Sequence, residues 1–315
     1  MKRNDLYLAA DSGGSKTVWV LLDKAGNTVA EYKTHGLGAV KAGILPVLDT
    51  VKEAFRYLKS YGMPNGIFLS LGGPNVVEVQ EALNTVWEGI PSFVEREASG
   101  NAILQAAAFL DCSAAILCGT GSTAMGHTVR GIQYAGGWGP TYGDGGSGGG
   151  LGQDALKLFL RSLDGMEEIG KVGELFAPLT AGLDVTGFFG RMEAKSRALG
   201  MSRRDLAALA PEIYKLAVDG DTVALGLYRT HAKEIALLAN SVSDNSAEYR
   251  VLICGGFLTN KPLLLEMCNE EFAKLSCARL YYVPAFSPIV AAKMAVLTRY
   301  GVSPTRELFD KILRT

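Results

Sequence analysis

The fold of this chain is indicated by residues 6–22, which read LYLAADSGGSKTVWVLL. Two runs rich in apolar and β-branched residues, 6–10 and 17–22, flank a polar turn that contains two adjacent glycines. This pattern predicts a strand, a tight turn and a second strand. A further glycine turn leads into residues 28–33, for which we predict a third strand. The chain therefore opens with three consecutive strands.

The same pattern occurs a second time. Residues 114–118 predict a strand, 119–122 a glycine turn and 123–129 another strand. In both halves the predicted elements follow the order βββαβαβα, which argues for duplication of a whole domain. We therefore predict an α/β protein with two duplicated domains. The first comprises residues 1–112, completed by a C-terminal helix at 293–315, and the second comprises residues 113–292, with a helical insertion at about 153–247.

Composition and charge exclude several classes of protein. Of 315 residues, 38 are glycine, and 31 basic residues nearly balance 32 acidic ones. This balance gives no electrostatic basis for binding nucleic acid or an anionic membrane. The first apolar run is too short for a signal peptide, and the cysteines form no C-x-x-C pair. We expect a cytoplasmic protein with reduced thiols and no nucleic-acid or membrane partner; a homodimer is compatible with the sequence.

Several glycine and basic patterns are rejected on their context. A P-loop or a dinucleotide-binding turn joins a strand to a helix, whereas both main turns here join two strands. Residues 143–148 match G-x-G-x-x-G, and the residues around Ser147 match G-x-S-x-G, but no predicted strand leads directly into either. We interpret both as chance matches within the glycine-rich tract 136–152. The basic segment 191–204 is interpreted as a solvated helix face.

Five motifs resemble those of one known family. They are DSGGSKT at 11–17, GTGS at 119–122, GGWG and GDGGS within 136–147, CGGF at 254–257 and PAFSP at 284–288. Their order and spacing are similar to the BadF/BadG/BcrA/BcrD-type ATPase family, which includes the N-acetylglucosamine kinases and belongs to the acetate-and-sugar-kinase/actin superfamily. The resemblance implies two RNase H-like (actin-like ATPase) domains with an ATP cleft between them.

The resemblance also implies a nucleotide site. The backbone N–H groups of a glycine turn can converge on phosphate oxygens, and hydroxyl groups and a lysine can add further donors. By resemblance, Asp11 would hold Mg²⁺ through water, since Mg²⁺ sheds its waters reluctantly. The alternative is that Asp11 and the glycines serve only the turns. The predicted nucleotide-binding residues are Asp11, Gly13, Gly14, Ser15, Lys16, Thr17, Gly119, Thr120, Gly121, Ser122, Gly255 and Gly256.

A catalytic base is implied at the start of the interdomain helix. The family pattern there is Asp-Ala-x-Gly after a short strand, and this chain has Glu-Ala-Ser-Gly at 97–100, so Glu97 is the predicted acceptor of the hydroxyl proton. The extra methylene of Glu shifts its oxygens by roughly 1 Å, and such a shift can cost about a hundredfold in rate. Two alternatives are that Glu97 only favours a helix N-terminus, and that Glu95 is the base.

The acceptor side departs from the family in two further places. Gly145 stands where the family's G-D-E-G-S has Glu, and the loop 34–40 lacks the Asn that contacts the sugar in N-acetylglucosamine kinases. We predict Gly73, Trp138 and Asp144 as substrate-binding residues, although Gly73 could serve only its turn and Trp138 could be a packed core side chain. The extra glycines that follow Ser147 are expected to weaken the first turn of the next helix.

These features predict an ATP- and Mg²⁺-dependent kinase that phosphorylates a small hydroxyl acceptor, a sugar or amino sugar. Two alternatives stay open. One is an ATPase that drives a partner protein, as the activators of this family do, although those carry an iron–sulfur cluster on a cysteine motif that this chain lacks. The other is a nucleotide-binding protein with a degenerate acceptor site.

Overall fold

The chain divides into two compact units. The computed structural model describes residues 5–38, 43–96 and 101–315, with the backbone alone at Asn101. The first unit comprises residues 1–115 and 282–315, and the second comprises residues 116–281. Across the described residues, every helix is too short or too polar to cross a bilayer.

Each unit is built around one five-stranded sheet. The strands are β1 (Leu6–Ser12), β2 (Lys16–Asp23), β3 (Thr28–His35), β4 (Ile67–Leu71), β5 (Ser92–Arg96), β6 (Ala114–Cys118), β7 (Ser122–Thr128), β8 (Gly131–Gly136), β9 (Arg250–Cys254) and β10 (Arg279–Tyr282). Their order is β3-β2-β1-β4-β5 in the first sheet and β10-β9-β6-β7-β8 in the second. In the first sheet, β1 is antiparallel to β2 and parallel to β4, so this sheet is mixed. Strands β4 and β6 are buried along their whole length, as expected where helices cover both faces.

The helices complete both repeats. They are α1 (Ile44–Leu58), α2 (Val76–Val86), α3 (Asn101–Ala108), α4 (Gly148–Ser162), a 3₁₀ helix (Gly170–Phe176), α5 (Ala177–Thr180), α6 (Phe188–Gly200), α7 (Arg203–Ala208), α8 (Ala210–Val218), α9 (Thr222–Ser241), α10 (Pro262–Ala273), α11 (Pro288–Arg299) and α12 (Arg306–Arg314). The α/β class and the duplicated order βββαβαβα are confirmed. The last helix of the second repeat, α11, belongs to the first unit, where it packs against β1 and α3.

The core of the first unit follows from the apolar pattern of its elements. Helix α1 buries Val47, Val51, Ala54 and Leu58, whose spacing of three and four residues puts them on one face. The indole of Trp19, on β2, is fully buried and donates its Nε1–H to the hydroxyl of Thr34 at 2.9 Å. A satisfied indole therefore anchors β2 to β3 beside the turn that carries the first motif.

Candidate functional site

The first glycine turn, residues 13–15, joins β1 and β2. Ser12 lies opposite Thr17 in the strand register, and the Gly13 N–H donates to the Lys16 carbonyl at 3.1 Å. A side chain added at Gly13 or Gly14 would meet no heavy atom within 4 Å. The space above these two glycines is therefore open to a ligand, and the Lys16 side chain is exposed beside it.

Asp11 is the second-last residue of β1. Burial raises the pKa of Asp11 to about 7, and the charge of Lys16 opposes that shift. Its carboxylate accepts no hydrogen bond from any described residue. A desolvated carboxylate without a donor is poorly stabilised as an anion, so a bound cation fits this position.

The hydroxyls of Ser12 and Thr17 are engaged inside the unit. Thr17 is fully buried and donates to the His35 carbonyl at 2.9 Å. The 2.7 Å contact between the two hydroxyls is therefore donated by Ser12, which in turn accepts the Leu37 N–H at 2.9 Å. The predicted contact of the Thr17 hydroxyl with phosphate does not agree with this arrangement. This hydroxyl instead ties the glycine turn to the loop after β3.

Gly73 lies where backbone packs against backbone. A side chain at Gly73 would come within 2.5 Å of the Gly38 carbonyl oxygen, and a side chain at Gly36 would overlap the Gly13 carbonyl. Asn75 also donates to the Leu37 carbonyl at 2.9 Å. The loop after β3 is therefore clamped between the first glycine turn and the end of β4. This packing alone requires glycine at 73, independently of the substrate role predicted for it.

The predicted base, Glu97, lies outside the described residues. The alternative, Glu95, lies on β5 opposite Ser70, and its carboxylate accepts the Ala102 N–H at 3.2 Å. Burial raises the pKa of Glu95, while that hydrogen bond and Arg299 oppose the shift. The side chain borders a groove of about 260 Å³, lined by Phe68, Phe93, Glu95, Ala102, Gln105, Ala295, Thr298 and Arg299.

The second glycine turn, residues 119–121, joins β6 and β7. The Gly119 N–H donates to the Gly121 carbonyl at 2.8 Å, and the space beside Gly119 is nearly empty. The Ser122 hydroxyl, however, is buried and donates to the Gly145 carbonyl at 2.5 Å. Its predicted contact with phosphate does not agree with that bond. The side chain instead fixes the turn to the glycine-rich tract.

Asp144, from the glycine-rich tract, is buried beside this second turn. Its backbone has a left-handed φ of 65°, and its carboxylate accepts the Ser122 N–H at 3.3 Å and pairs with the guanidinium of Arg203. Burial raises its pKa, although Arg203 and the Ser122 N–H oppose the shift. Only 2% of its side chain is exposed. The direct substrate contact predicted for Asp144 does not agree with this burial.

The surplus glycines are packing positions. Helix α4 begins at Gly148, inside the tract, and Ser147 caps it by accepting the Gly150 N–H at 3.1 Å. The N–H groups of Gly148 and Gly149 donate to the carbonyls of Gly119 and Thr120 at 2.9 and 3.0 Å. A side chain at Gly149 would overlap the Thr120 carbonyl. Glycine costs helix propensity here, but these contacts anchor α4 against the second turn.

Two further positions in the tract clarify the acceptor motifs. A side chain at Gly145 would come within 2.7 Å of the carboxylate of Glu234, which extends from α9 into the space that a residue 145 side chain would need. The Trp138 indole is 77% exposed, and the nearby Tyr142 is also exposed. The interpretation of Trp138 as a packed core side chain is therefore wrong, and its flat face is free.

The Gly255-Gly256 pair contains two kinds of glycine. Gly255 has φ of 112°, and a side chain there would overlap the Cys118 carbonyl, so it is needed for contact with β6. The Phe257 N–H donates to the same carbonyl at 2.9 Å. Beside Gly256, in contrast, no heavy atom lies within 4 Å of an added side chain. Gly256 is therefore the one of the two that leaves space for a ligand.

The repeated sheets with their glycine turns define a two-unit ATPase-fold protein of the actin-like class. A family model matches residues 10–284, and the chain belongs to the BadF/BadG/BcrA/BcrD ATPase family. The predicted family resemblance is confirmed.

Individual relatives are similar over most of the chain. The N-acetyl-D-glucosamine kinase of Dictyostelium discoideum is 25% identical over 290 residues, which cover 85% of this chain and 90% of that protein. A candidate N-acetylglucosamine kinase from Chromobacterium violaceum has a structure similar at a TM-score of 0.67, with 22% identity, over 93% of this chain and 99% of its own. A ROK family glucokinase from Streptomyces griseus gives a TM-score of 0.58, with 16% identity, over 94% of this chain and 100% of its own. At these identities the two structures establish the fold alone.

Proposed function

We propose that this protein is an ATP-dependent kinase that phosphorylates a hydroxyl group of a sugar or amino sugar. The observation that carries the proposal is the similarity to the Dictyostelium N-acetyl-D-glucosamine kinase across 85% of the chain. Membership of an ATPase family supports the nucleotide half of the proposal. The open space beside Gly13, Gly14 and Gly256 leaves room for a ligand at these motifs.

On the nucleotide side, four glycines are proposed as the points of closest approach. Gly13, Gly14 and Gly119 would let turn N–H groups approach phosphate oxygens, and Gly256 would let backbone approach the adenosine. The exposed Lys16 would add a positive charge at the first turn. The remaining nucleotide residues predicted from sequence, Ser15, Thr120 and Gly121, belong to the same turns.

Asp11 is the residue we propose for Mg²⁺. Its desolvated carboxylate accepts no hydrogen bond within the described residues, so a cation would supply the missing stabilisation. When bound, Mg²⁺ would neutralise charge on the transferring phosphoryl group. Because Mg²⁺ keeps its waters readily, Asp11 would hold it through water.

For the chemical step we propose Glu97 as the base, with Glu95 as the alternative. The acceptor oxygen would form a bond to the γ-phosphorus while the bond from this phosphorus to the bridging oxygen breaks, and ADP leaves with that electron pair. The carboxylate would take the hydroxyl proton. Burial raises the pKa of the half-buried Glu95, and a higher pKa makes its carboxylate a stronger proton acceptor.

For the acceptor we propose contact with Trp138, whose exposed indole offers an apolar face to a sugar ring. The indirect role of Asp144, through Arg203 and Ser122, replaces the direct contact expected from the motif. The partner-driving ATPase receives no support from the cysteines. Four of the five cysteines, Cys112, Cys118, Cys254 and Cys268, are buried, and only Cys277 is exposed.

The test is an ADP-release assay over a panel of sugars and amino sugars, with no acceptor as the blank. We expect acceptor-dependent ADP release by the wild type and its loss in Glu97→Gln. If Glu95 is the base, Glu95→Gln loses the activity instead. The exposed Glu88→Gln is the matched control, since it makes the same chemical change on a solvent-facing side chain. ADP release that ignores the acceptor would contradict the kinase and favour an ATPase.

A further inference from the structure

The second glycine turn differs from the first in its supply of positive charge. The first turn carries Lys16 in its own motif, whereas the corresponding motif at 119–122 reads GTGS and contains no basic residue. The Ser122 hydroxyl and N–H are both engaged, with the Gly145 carbonyl and with Asp144. A cation from elsewhere in the chain would therefore strengthen the binding of an anion at this turn.

Arg203 brings a cation to this turn. It is the first residue of α7, in the basic segment interpreted from sequence as a solvated helix face. Its Nη2 atom occupies the space where a side chain on Gly121 would begin. About one third of its side chain is exposed, at 34%, so the guanidinium is reachable from solvent while it lies over the turn. The interpretation as a purely solvated face is therefore wrong for Arg203.

Asp144 orients this guanidinium. Its buried carboxylate pairs with Arg203 Nη2 and also accepts the Ser122 N–H, so one carboxylate ties the arginine to the turn. The Arg203 Nε is buried and has no hydrogen-bond partner among the described residues. A guanidinium has five N–H donors, and a carboxylate on one edge leaves donors for a second anion. Asp144 therefore holds the Arg203 guanidinium in place while leaving some of its donors available for a phosphate group.

We propose that Arg203 binds the phosphate groups of the nucleotide at the second glycine turn and that Asp144 positions it. The inference rests on the proposed function, because it assigns the ligand of that site as a nucleoside polyphosphate. Arginine suits the role, since its planar fork matches phosphate oxygens and it stays charged at all physiological pH values. Open space beside Gly119 provides the room for that anion. Glycine at 121 then has a reason: it lets the guanidinium lie directly on the turn.

The test compares the affinities for ATP, ADP and adenosine by isothermal titration calorimetry. Arg203→Met is expected to weaken ATP and ADP roughly 10- to 100-fold, the loss of a charge-assisted contact, and to leave adenosine within about twofold. The matched control is Arg204→Met, the neighbouring exposed arginine of α7, which should bind all three ligands like the wild type. Unchanged ATP affinity in Arg203→Met would overturn the inference, and so would an equal loss for adenosine.

A second variant separates phosphate binding from a purely structural ion pair. Arg203→Met leaves Asp144 buried without its partner, which can destabilise the fold. The double variant Arg203→Met/Asp144→Asn removes both charges, and we expect it to unfold near the wild-type temperature and still bind ATP as weakly as Arg203→Met. Recovery of wild-type ATP affinity in the double variant would mean that Arg203 only neutralises Asp144, and would overturn the inference. If the wild type itself binds no ATP, the proposed function fails and this inference fails with it.

Discussion

The two glycine turns combine a carboxylate with a cation in different ways. In the first turn, Asp11 and Lys16 lie within one short stretch of sequence, and the carboxylate accepts no hydrogen bond within the described residues. In the second, Asp144 comes from the glycine-rich tract and Arg203 from the helical segment, and the two form an ion pair. The comparison shows that two duplicated turns can each have one carboxylate and one cation, although in the second turn these groups come from segments that are distant in the sequence. We expect Asp11, whose carboxylate accepts no hydrogen bond within the described residues, to act on a metal, and Asp144 to act through its arginine.

The largest effect should come from removing the two carboxylates in turn. Asp11→Asn is expected to lower kcat/KM for ATP by on the order of 10²–10³, because the variant would no longer hold the Mg²⁺ that neutralises charge on the transferring phosphoryl group. Asp144→Asn should cost only on the order of tenfold, since it loosens the positioning of Arg203. Steady-state kinetics at saturating acceptor measures both. Equal losses in the two variants would break the distinction between the turns.

The next effect compares a glycine that is packed against backbone, Gly149 of α4, with a glycine that borders open space, Gly14 of the first turn. Gly149→Ala would overlap the Thr120 carbonyl and should lower the free energy of unfolding by about 1–3 kcal/mol. Gly14→Ala enters open space and should change it by less than about 0.5 kcal/mol while weakening ATP binding. Urea denaturation measures the free energy of unfolding, and calorimetry measures the affinity for ATP. A stable Gly149→Ala protein would show that the surplus glycines are not packing positions.

How far the sequence could predict this site depends on the distance between the partners. The β1–β2 hairpin was predictable because its apolar alternation and its glycines are local signals. The start of α4 at Gly148 was not, because glycine is a poor helix former and the contacts to Thr120 that stabilise this turn are tertiary. Arg203 could not be assigned from the sequence, since it lies 59 residues from Asp144 and nothing local distinguishes it from Arg204.

The hydroxyls of Thr17 and Ser122 are the other place where the motifs and the structure differ. Thr17 and Ser122 stand in motifs where hydroxyls are plausible phosphate donors, and the sequence contains no sign that the His35 and Gly145 carbonyls would take their hydrogens. A hydroxyl has a single hydrogen, so an internal acceptor removes it from the ligand. The sequence feature that could have indicated the internal role of these two hydroxyls is the position of each residue in its strand, rather than its place in the glycine motif.

A smaller effect should follow from restoring the motif acid at 145. Gly145→Glu places a side chain against Glu234, but that neighbour is exposed and can move, so we expect a loss of at most about 1 kcal/mol in unfolding free energy. Combination with Glu234→Ala should recover that loss. Thermal denaturation of the four proteins in this cycle measures it. An unrecovered loss in the double variant would show that another contact requires glycine at 145.

The last prediction concerns protein stability and a lysine outside both turns, Lys293, which is buried whereas Lys16 is exposed. Lys293 on α11 is buried and donates to the Thr28 hydroxyl at 3.2 Å, and burial lowers its pKa while Glu31 opposes the shift. The unfolded chain therefore holds this proton more tightly than the native state does, so the destabilising contribution is complete below the folded-state pKa and diminishes as pH rises from there towards 10.5. Lys293→Met should raise the unfolding free energy by up to about 1 kcal/mol at pH 7. Denaturation at pH 7 and 10 checks this, and a difference that does not shrink at pH 10 would contradict it.

The most direct test of the central claim is to look for the phosphorylated product. The wild-type protein is incubated with ATP, Mg²⁺ and a panel of sugars and amino sugars, and the products are resolved by mass spectrometry alongside ADP and inorganic phosphate. The proposed function predicts one acceptor that gains a single phosphoryl group, with ADP formed in equal amount and little free phosphate. Formation of ADP with an equal amount of free phosphate and no phosphorylated acceptor would contradict it.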